Sequence, residues 1–246
     1  MKRLLGLVMF CLPLVSQAAA FEETLLVQTG KMTEGDLVVR NVTDLGSSRT
    51  CLAFYVKTSG TSPKTFCYRA VSGFGAKLVQ VGHIKADDLV IRKIEDTKNG
   101  MTCLVAYVST PGTAPAADCY PSKHRFKDQM VEGGHLREGD LDVRLIADPG
   151  NRKSCMVSYV HTKGTDPAVV CYDSSAGRKG GLRQVSQLRE GDLVVRKIVD
   201  TGSQEACLFS YVSTAGTSSH LYCYFEGLKK PAPVPAVAPR TLPKKQ

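Results

Sequence analysis

The sequence predicts an all-β protein made of four tandem antiparallel β-meander repeats, each closed by one disulfide. Three observations support this fold class. The chain repeats itself every 52 residues, as the lead aspartates Asp36, Asp88, Asp140 and Asp192 show. Every copy contains two cysteines at the same positions, and short apolar segments alternate with turn residues throughout. A repeat of this length indicates stacked or ringed supersecondary units, here with almost no helix.

Two shared segments define the repeat. The first reads EGDLVVRNVTD from Glu34, ADDLVIRKIED from Ala86, EGDLDVRLIAD from Glu138 and EGDLVVRKIVD from Glu190. The second follows at a constant distance, with the form C-[LM]-x-x-Y-V-x-T-x-G-T and then Cys-Tyr. Because no insertion or deletion separates the four copies in this region, the first copy describes the expected strands of all four.

Within the first repeat, the alternation of apolar and polar residues predicts three strands, at 36–44, 51–58 and 65–69. Turn residues separate them, and the second turn contains Gly60. A weaker strand is expected before them, around Leu26 and its equivalents Leu78, Met130 and Leu182. The complete unit is therefore a four-stranded antiparallel meander.

The cysteines predict one disulfide inside each repeat. Cys11 lies in the expected signal peptide, and the other eight form pairs sixteen positions apart. Ser59, midway between the first pair, lies in the second turn, so a hairpin there places the two cysteines opposite each other. An even number of cysteines in an exported chain favours disulfides over metal ligands, which would be clustered. The expected pairs are Cys51–Cys67, Cys103–Cys119, Cys155–Cys171 and Cys207–Cys223.

The first strand of the shared segment is apolar on both faces, with Leu37 and Val39 on one and Val38 and Val42 on the other. Such a strand belongs to a sheet covered on both sides. This favours a four-bladed propeller, whose blades pack against one another. The alternative is a row or sandwich of small disulfide-stapled β units.

The repeats and the composition of the two ends divide the chain into six segments. Residues 1–20 have the basic start, apolar stretch and small-residue end of a cleaved signal peptide, so the chain is expected to be secreted or periplasmic without a transmembrane segment. The four repeats span residues 21–74, 75–126, 127–178 and 179–226. Residues 227–246 form a proline-rich basic tail that cannot pack a core and is expected to be disordered.

The charge is concentrated outside the repeats. The net charge is +9, of which two positive charges lie in the signal peptide and five in the tail, so the repeats carry only +2. A nearly neutral body does not provide the basic surface that nucleic acid requires. The tail cations are instead candidate contacts to an acidic protein or an anionic envelope surface: Lys229, Lys230, Arg240, Lys244 and Lys245.

One arginine recurs at the same position of every repeat, each between aspartates four positions away on either side. If the repeats form a ring, these arginines meet at a central opening and bind an anion or an acidic loop. The simpler interpretation is a repeated structural ion pair with the flanking aspartates. The tyrosines of each repeat are expected to pack over the disulfides and between sheets. The candidate binding residues are Arg40, Arg92, Arg144 and Arg196.

No nucleophile, metal or cofactor motif is present, and the five histidines do not share one position across the repeats. The expected function is therefore a non-enzymatic binding or scaffolding protein that presents four equivalent β surfaces, with the tail as an accessory contact and no cofactor. Two alternatives remain: an envelope hydrolase with its site in the central opening, and a structural component that self-assembles through its units. The oligomeric state is left open.

Overall fold

The computed structural model describes residues 26–70, 77–123, 130–174 and 181–226, and these contain sixteen β-strands and no helix. The expected signal peptide and tail lie outside the described residues. The strands are β1 (Leu26–Glu34), β2 (Leu37–Asp44), β3 (Arg49–Val56), β4 (Lys64–Arg69), β5 (Leu78–Ala86), β6 (Leu89–Asp96), β7 (Met101–Val108), β8 (Ala116–Pro121), β9 (Val131–Glu138), β10 (Leu141–Asp148), β11 (Lys153–Val160), β12 (Ala168–Asp173), β13 (Leu182–Glu190), β14 (Leu193–Asp200), β15 (Glu205–Val212) and β16 (His220–Phe225).

Each repeat folds into one four-stranded antiparallel meander, which confirms the predicted fold class. The strands pair in chain order within each sheet, so sheet 1 is β1–β4, sheet 2 is β5–β8, sheet 3 is β9–β12 and sheet 4 is β13–β16. A tight turn joins the first two strands and requires a left-handed residue, with φ of +59° at Gly35. Asp87 takes the same position in sheet 2 with φ of 53°, a conformation that aspartate tolerates better than most residues.

All four predicted disulfides are present. Cys51 and Cys67 are direct partners in the β3–β4 register, as the central position of the hairpin turn predicts. The Cα atoms of each pair lie 3.9 to 4.0 Å apart. Four disulfides indicate that the chain folds in an oxidising extracellular or periplasmic environment.

The two faces of each sheet differ, and we name them from sheet 1. The head face carries the disulfide, Arg40 and Tyr55, whereas the tail face carries Leu37, Leu52 and Val56. The tail face of each sheet packs on the head face of the next. In the first contact, Leu37 and Leu52 share a buried cluster with Ile94 and Tyr107 of sheet 2.

The same packing is repeated twice more along the chain. Leu89 and Leu104 of sheet 2 pack on Ile146 and Tyr159 of sheet 3. In the third contact, Leu141 and Met156 of sheet 3 pack on Phe209 and Tyr211 of sheet 4. Each contact joins neighbouring repeats in the same orientation, so the stack has a direction.

The sheets form a row, which was the alternative arrangement predicted from the sequence. In the described part of the chain, the three buried clusters join sheets 1 and 2, 2 and 3, and 3 and 4, and none joins sheet 4 to sheet 1. Strands β6 and β7 of sheet 2 are buried along nearly their whole length, whereas β14 of sheet 4 alternates between buried and more exposed residues. Closure into a propeller is therefore not confirmed, because a closed ring would cover all four sheets alike.

Candidate functional site

The four recurring arginines form hydrogen bonds within their own sheets. Nη1 of each donates to a side-chain oxygen on the adjacent strand: from Arg40 to Gln28 (2.5 Å), from Arg92 to Gln80, from Arg144 to Glu132 (2.7 Å) and from Arg196 to Gln184 (3.0 Å). Three of the arginines also donate to the tyrosine of the same repeat. These hydrogen bonds hold each arginine side chain against its own sheet.

These arginines lie at successive positions along the row of sheets. Arg92, Arg144 and Arg196 are buried in three successive contacts between sheets, and Arg40 lies half-buried on the head face of sheet 1. Among the described residues, no ion pair joins one of these arginines to an aspartate that flanks it in its own repeat. A strand rises about 3.3 Å per residue, so positions four apart on one strand are about 13 Å apart and do not touch.

The aspartates that end these strands bond instead to tyrosines of the preceding repeat. Tyr68 donates to Asp96 at 2.5 Å, Tyr120 to Asp148 at 2.8 Å and Tyr172 to Asp200 at 3.0 Å. Each bond crosses from the tail face of one sheet to the head face of the next. These bonds were not predicted from the sequence, although the constant separation of 28 residues between donor and acceptor is a signal that could have found them.

These bonds predict a loss of stability at high pH. Burial, followed by the charge of Asp148, raises the pKa of Tyr120 well above its ordinary value of about 10. The unfolded chain therefore releases this proton above about pH 10 while the folded chain keeps it, so the free energy of unfolding falls as pH rises, by up to about 1.4 kcal/mol per pH unit. Urea unfolding from about pH 9 to about pH 11 should show a shallower fall for Tyr120→Phe.

The matched control for this measurement is Tyr222→Phe, which removes an exposed hydroxyl from sheet 4. Lysines and other groups that titrate in the same range contribute equally to both variants and cancel in the comparison. Equal slopes for Tyr120→Phe and Tyr222→Phe would contradict the assignment.

Repeat 3 departs from the other repeats at one buried position. Asp142 stands where the other three repeats have a valine, and its side chain is 3% exposed. The Nε2 atoms of His135 and His161 lie 3.1 Å and 3.7 Å from Asp142 Oδ2. Nε of Arg144 lies 3.1 Å from Asp142 Oδ1. This cluster places the Arg144 guanidinium and two histidine rings around a buried carboxylate, and no serine hydroxyl or cysteine thiol is bonded to it among the described residues.

A cleft between sheets 1 and 2 contains the other mixed group of polar side chains. It is lined by Asp36, His83, Asp88, Arg92 and Tyr107, among others. Burial lowers the pKa of His83, and Arg92 and Lys85 lower it further. Within the described part of the chain, no hydrogen bond joins His83 to a carboxylate or hydroxyl.

The described ranges contain no group of three or more His, Cys, Asp or Glu side chains placed to hold a metal ion. They also contain no helix that is long and apolar enough to cross a membrane. The five cations of the tail lie outside the described residues.

The outer end of the stack carries an exposed apolar surface, the tail face of sheet 4. Leu193, Leu208 and Val212 are 43%, 39% and 37% exposed on this face. Their equivalents in the other repeats are at most 3% exposed: Leu37, Leu89 and Leu141; Leu52, Leu104 and Met156; Val56, Val108 and Val160. The four repeats therefore do not present four equivalent surfaces, because three tail faces are covered by the next sheet.

Two further apolar residues extend this surface. Tyr222 pairs with Leu208 across β15 and β16 and is 69% exposed. Leu188 pairs with Val195 across β13 and β14 and is 61% exposed, whereas its equivalents Met32 and Leu136 pack against the buried clusters. An exposed apolar face of this kind is a candidate interaction site.

Comparison of the chain with protein-family models, with curated proteins and with solved structures finds no match. The geometry of the chain itself therefore carries the functional conclusion.

Proposed function

We propose that this chain is a non-enzymatic binding or scaffolding protein of an oxidising compartment, which binds protein through the tail face of sheet 4. The observation that carries the proposal is the exposure of Leu193, Leu208 and Val212 at positions that the other three repeats bury. Leaving such side chains in water forgoes the stabilisation of burial, about 1.5 to 3 kcal/mol for each fully buried aliphatic side chain. A bound partner would recover this free energy.

The polar side chains that recur in the repeats support a scaffold more than a reaction. Arg92 and Arg196 donate to Tyr107 and Tyr211 at 2.9 Å and 3.1 Å, and both arginines are buried between sheets. Groups held in this way fix the sheets against one another. The hydrolase alternative has no comparable observation in its favour, since the central opening in which its site was expected is not confirmed.

The basic tail enters the proposal as an accessory contact. Its five cations and its prolines favour an extended segment that reaches an acidic protein or an anionic envelope surface. A version of the chain that ends at Gly227 separates this contribution from that of sheet 4, because binding through the tail is weakened by moderate salt and binding through an apolar face is not.

Site-specific photo-crosslinking in the producing organism tests the proposal. A photoreactive residue at Leu208 should form adducts with protein, because this position lies on the exposed apolar face. The same residue at Asp173, an exposed position at the end of β12 in the inner sheet 3, measures the background of random collisions. Equal yields at the two positions, or no adduct at position 208, would rule out a protein partner on this face.

A further inference from the structure

The two end faces of the sheet stack correspond to the two surfaces that pack together in every internal contact. Within the chain, the tail face of one sheet packs on the head face of the next three times, in the same orientation each time. The tail face of sheet 4 and the head face of sheet 1 are the halves left over. We infer that the tail face of sheet 4 binds the head face of sheet 1 of a second copy of this chain, an inference that rests on the proposed function and names its partner.

The apolar side chains of the two end faces fit this contact. In the internal contacts, the equivalents of Leu193 and Leu208 cover the tyrosine and the disulfide of the next sheet, as Leu37 and Leu52 cover Tyr107 and Cys103. Tyr107 and Tyr211 are 2% and 3% exposed, whereas Tyr55, at the same position of sheet 1, is only half-buried. The two end faces thus carry the same residue types, leucine on one and tyrosine with the disulfide on the other, that pack together in the internal contacts.

One hydrogen bond of the internal contact is unmatched at the two ends. The three tyrosine-to-aspartate bonds leave Tyr224 as the fourth donor, on the tail face of sheet 4, and Asp44 as the fourth acceptor, on the head face of sheet 1. The hydrogen bonds of Asp44 among the described residues are confined to its own turn, from the backbone of Gly46 and from Ser47. Docking of two copies head to tail would form the fourth bond.

The charges of the two end faces are also complementary. Between sheets 2 and 3, Nζ of Lys93 lies 2.8 Å from Asp148 Oδ2, and both side chains are 2% exposed. Lys197 is the equivalent of Lys93 in sheet 4, and Asp44 is the equivalent of Asp148 in sheet 1. Lys197 now contacts Glu226, whose side chain is 43% exposed.

A second ion pair between internal sheets also has its two equivalents on the two end faces. Between sheets 3 and 4, Nη2 of Arg196 lies 3.9 Å from Asp140 Oδ1. The equivalents at the two ends are Arg40 on sheet 1 and Asp192 on sheet 4. In head-to-tail docking, two pairs of opposite charge would therefore face each other.

The turns between the third and fourth strands leave room for the same docking. The turn of sheet 2 reaches that of sheet 1 through a hydrogen bond from the Gly112 amide to the Ser59 carbonyl at 2.9 Å. Gly216 of sheet 4 similarly donates to Lys163 of sheet 3 at 3.1 Å. The Cβ positions of Gly60 and Gly164 meet the turn of the next sheet, whereas nothing lies within 4 Å of the Cβ positions of Gly112 and Gly216.

A contact of this kind is heterologous, because it joins two different surfaces. It adds copies in one direction and produces open chains or closed rings of several copies, not a twofold dimer. Sedimentation velocity of the mature chain, residues 21–246, should therefore show species that grow beyond the dimer as concentration rises from about 1 µM to about 1 mM, the range of weak to moderate association.

Leu208→Glu tests the tail face, because it places a carboxylate where the contact buries an apolar side chain. We expect this variant to remain monomeric, with self-association weakened at least about 100-fold, the size of effect seen at central interface positions. Phe225→Glu is the matched control: Phe225 is 66% exposed in the same sheet but lies on the opposite face, so this variant should associate like the wild type.

Asp44→Lys tests the head face, since it removes the acceptor and opposes Lys197. It should also be monomeric on its own. When mixed, Leu208→Glu and Asp44→Lys should form a one-to-one heterodimer that grows no further, because the intact head face of the first binds the intact tail face of the second. An isologous contact between two tail faces would leave Asp44→Lys fully associated and would give no heterodimer.

The outcomes separate this inference from the proposed function. A wild-type chain that stays monomeric throughout the concentration series, or variants that fail to complement, would overturn the head-to-tail contact. If the adduct at position 208 then contains a different protein, the binding function stands and the partner is another molecule. If that adduct is also absent, both proposals fail.

Discussion

Reduction of the four disulfides is expected to unfold this chain. Each disulfide closes a loop of about 15 residues and contributes about 3 kcal/mol by constraining the unfolded state, so the four together contribute about 12 kcal/mol. Domains of this size have net stabilities of only about 5 to 15 kcal/mol. Circular dichroism with and without a phosphine reductant, at neutral pH, should therefore show loss of the β signal in the reduced chain.

Single disulfide deletions show how much each disulfide stabilises the chain at its position in the stack. Replacing Cys51 and Cys67 with alanine removes a disulfide from the partly exposed head face of sheet 1 and should cost about 3 kcal/mol. The matched replacement of Cys103 and Cys119 should cost about 1 kcal/mol more, because Cys103 is fully buried against sheet 1 and its loss leaves a cavity. Urea unfolding of the two variants measures the difference. A native β signal in the fully reduced chain would show that the disulfides contribute much less than this.

The pairing of the cysteines could be predicted because it depends on local geometry alone. Two cysteines placed symmetrically about a turn residue become partners in any hairpin that folds there, whatever surrounds it. The meander was predictable for the same reason, since strands of four to eight residues and short turns leave antiparallel neighbours as the simplest connection. The strand ends differ by one or two residues from those expected, as β3 begins at Arg49 and ends at Val56.

The arrangement of the sheets was not predictable from the repeat. Leu193 and Leu208 read the same as Leu37 and Leu52, yet one pair is exposed and the other buried. The 52-residue repeat shows which residues the units have in common, but it does not show which unit lies at an end of the stack. Two covered faces per inner sheet are required in a row and in a ring alike, so the apolar pattern that favoured a propeller is equally consistent with the observed stack.

The partners of the arginines and aspartates escaped prediction for a different reason. Residues four apart in sequence are neighbours on a helix but not along a strand, where their partners come from adjacent strands and from the next sheet. The bonds of Asp96, Asp148 and Asp200 cross between repeats and depend on how the sheets stack. Only a comparison of positions in neighbouring repeats would have found them.

Asp148→Ala is expected to be the most destabilising of the single substitutions. Asp148 is 1% exposed and accepts from Tyr120 and Asn151, both at 2.8 Å, while Lys93 lies 2.8 Å from the same carboxylate. Removing this carboxylate leaves the buried hydroxyl of Tyr120 without its acceptor. It also takes away the nearer of two carboxylates from the buried Lys93 ammonium, which lies farther from Glu95, at 3.6 Å. We expect the free energy of unfolding to fall by about 3 to 5 kcal/mol.

Asp44→Ala is the matched control, because Asp44 holds the same position in sheet 1 without a preceding sheet. It loses only bonds within its own turn, from Gly46 and Ser47, so its cost should be about 1 kcal/mol. Urea unfolding of dilute protein should resolve this difference between the two aspartates. Equal costs would mean that the contacts between sheets contribute little, and the same result would weaken the case for a second copy, because the proposed docking uses Asp44 as the internal contact uses Asp148.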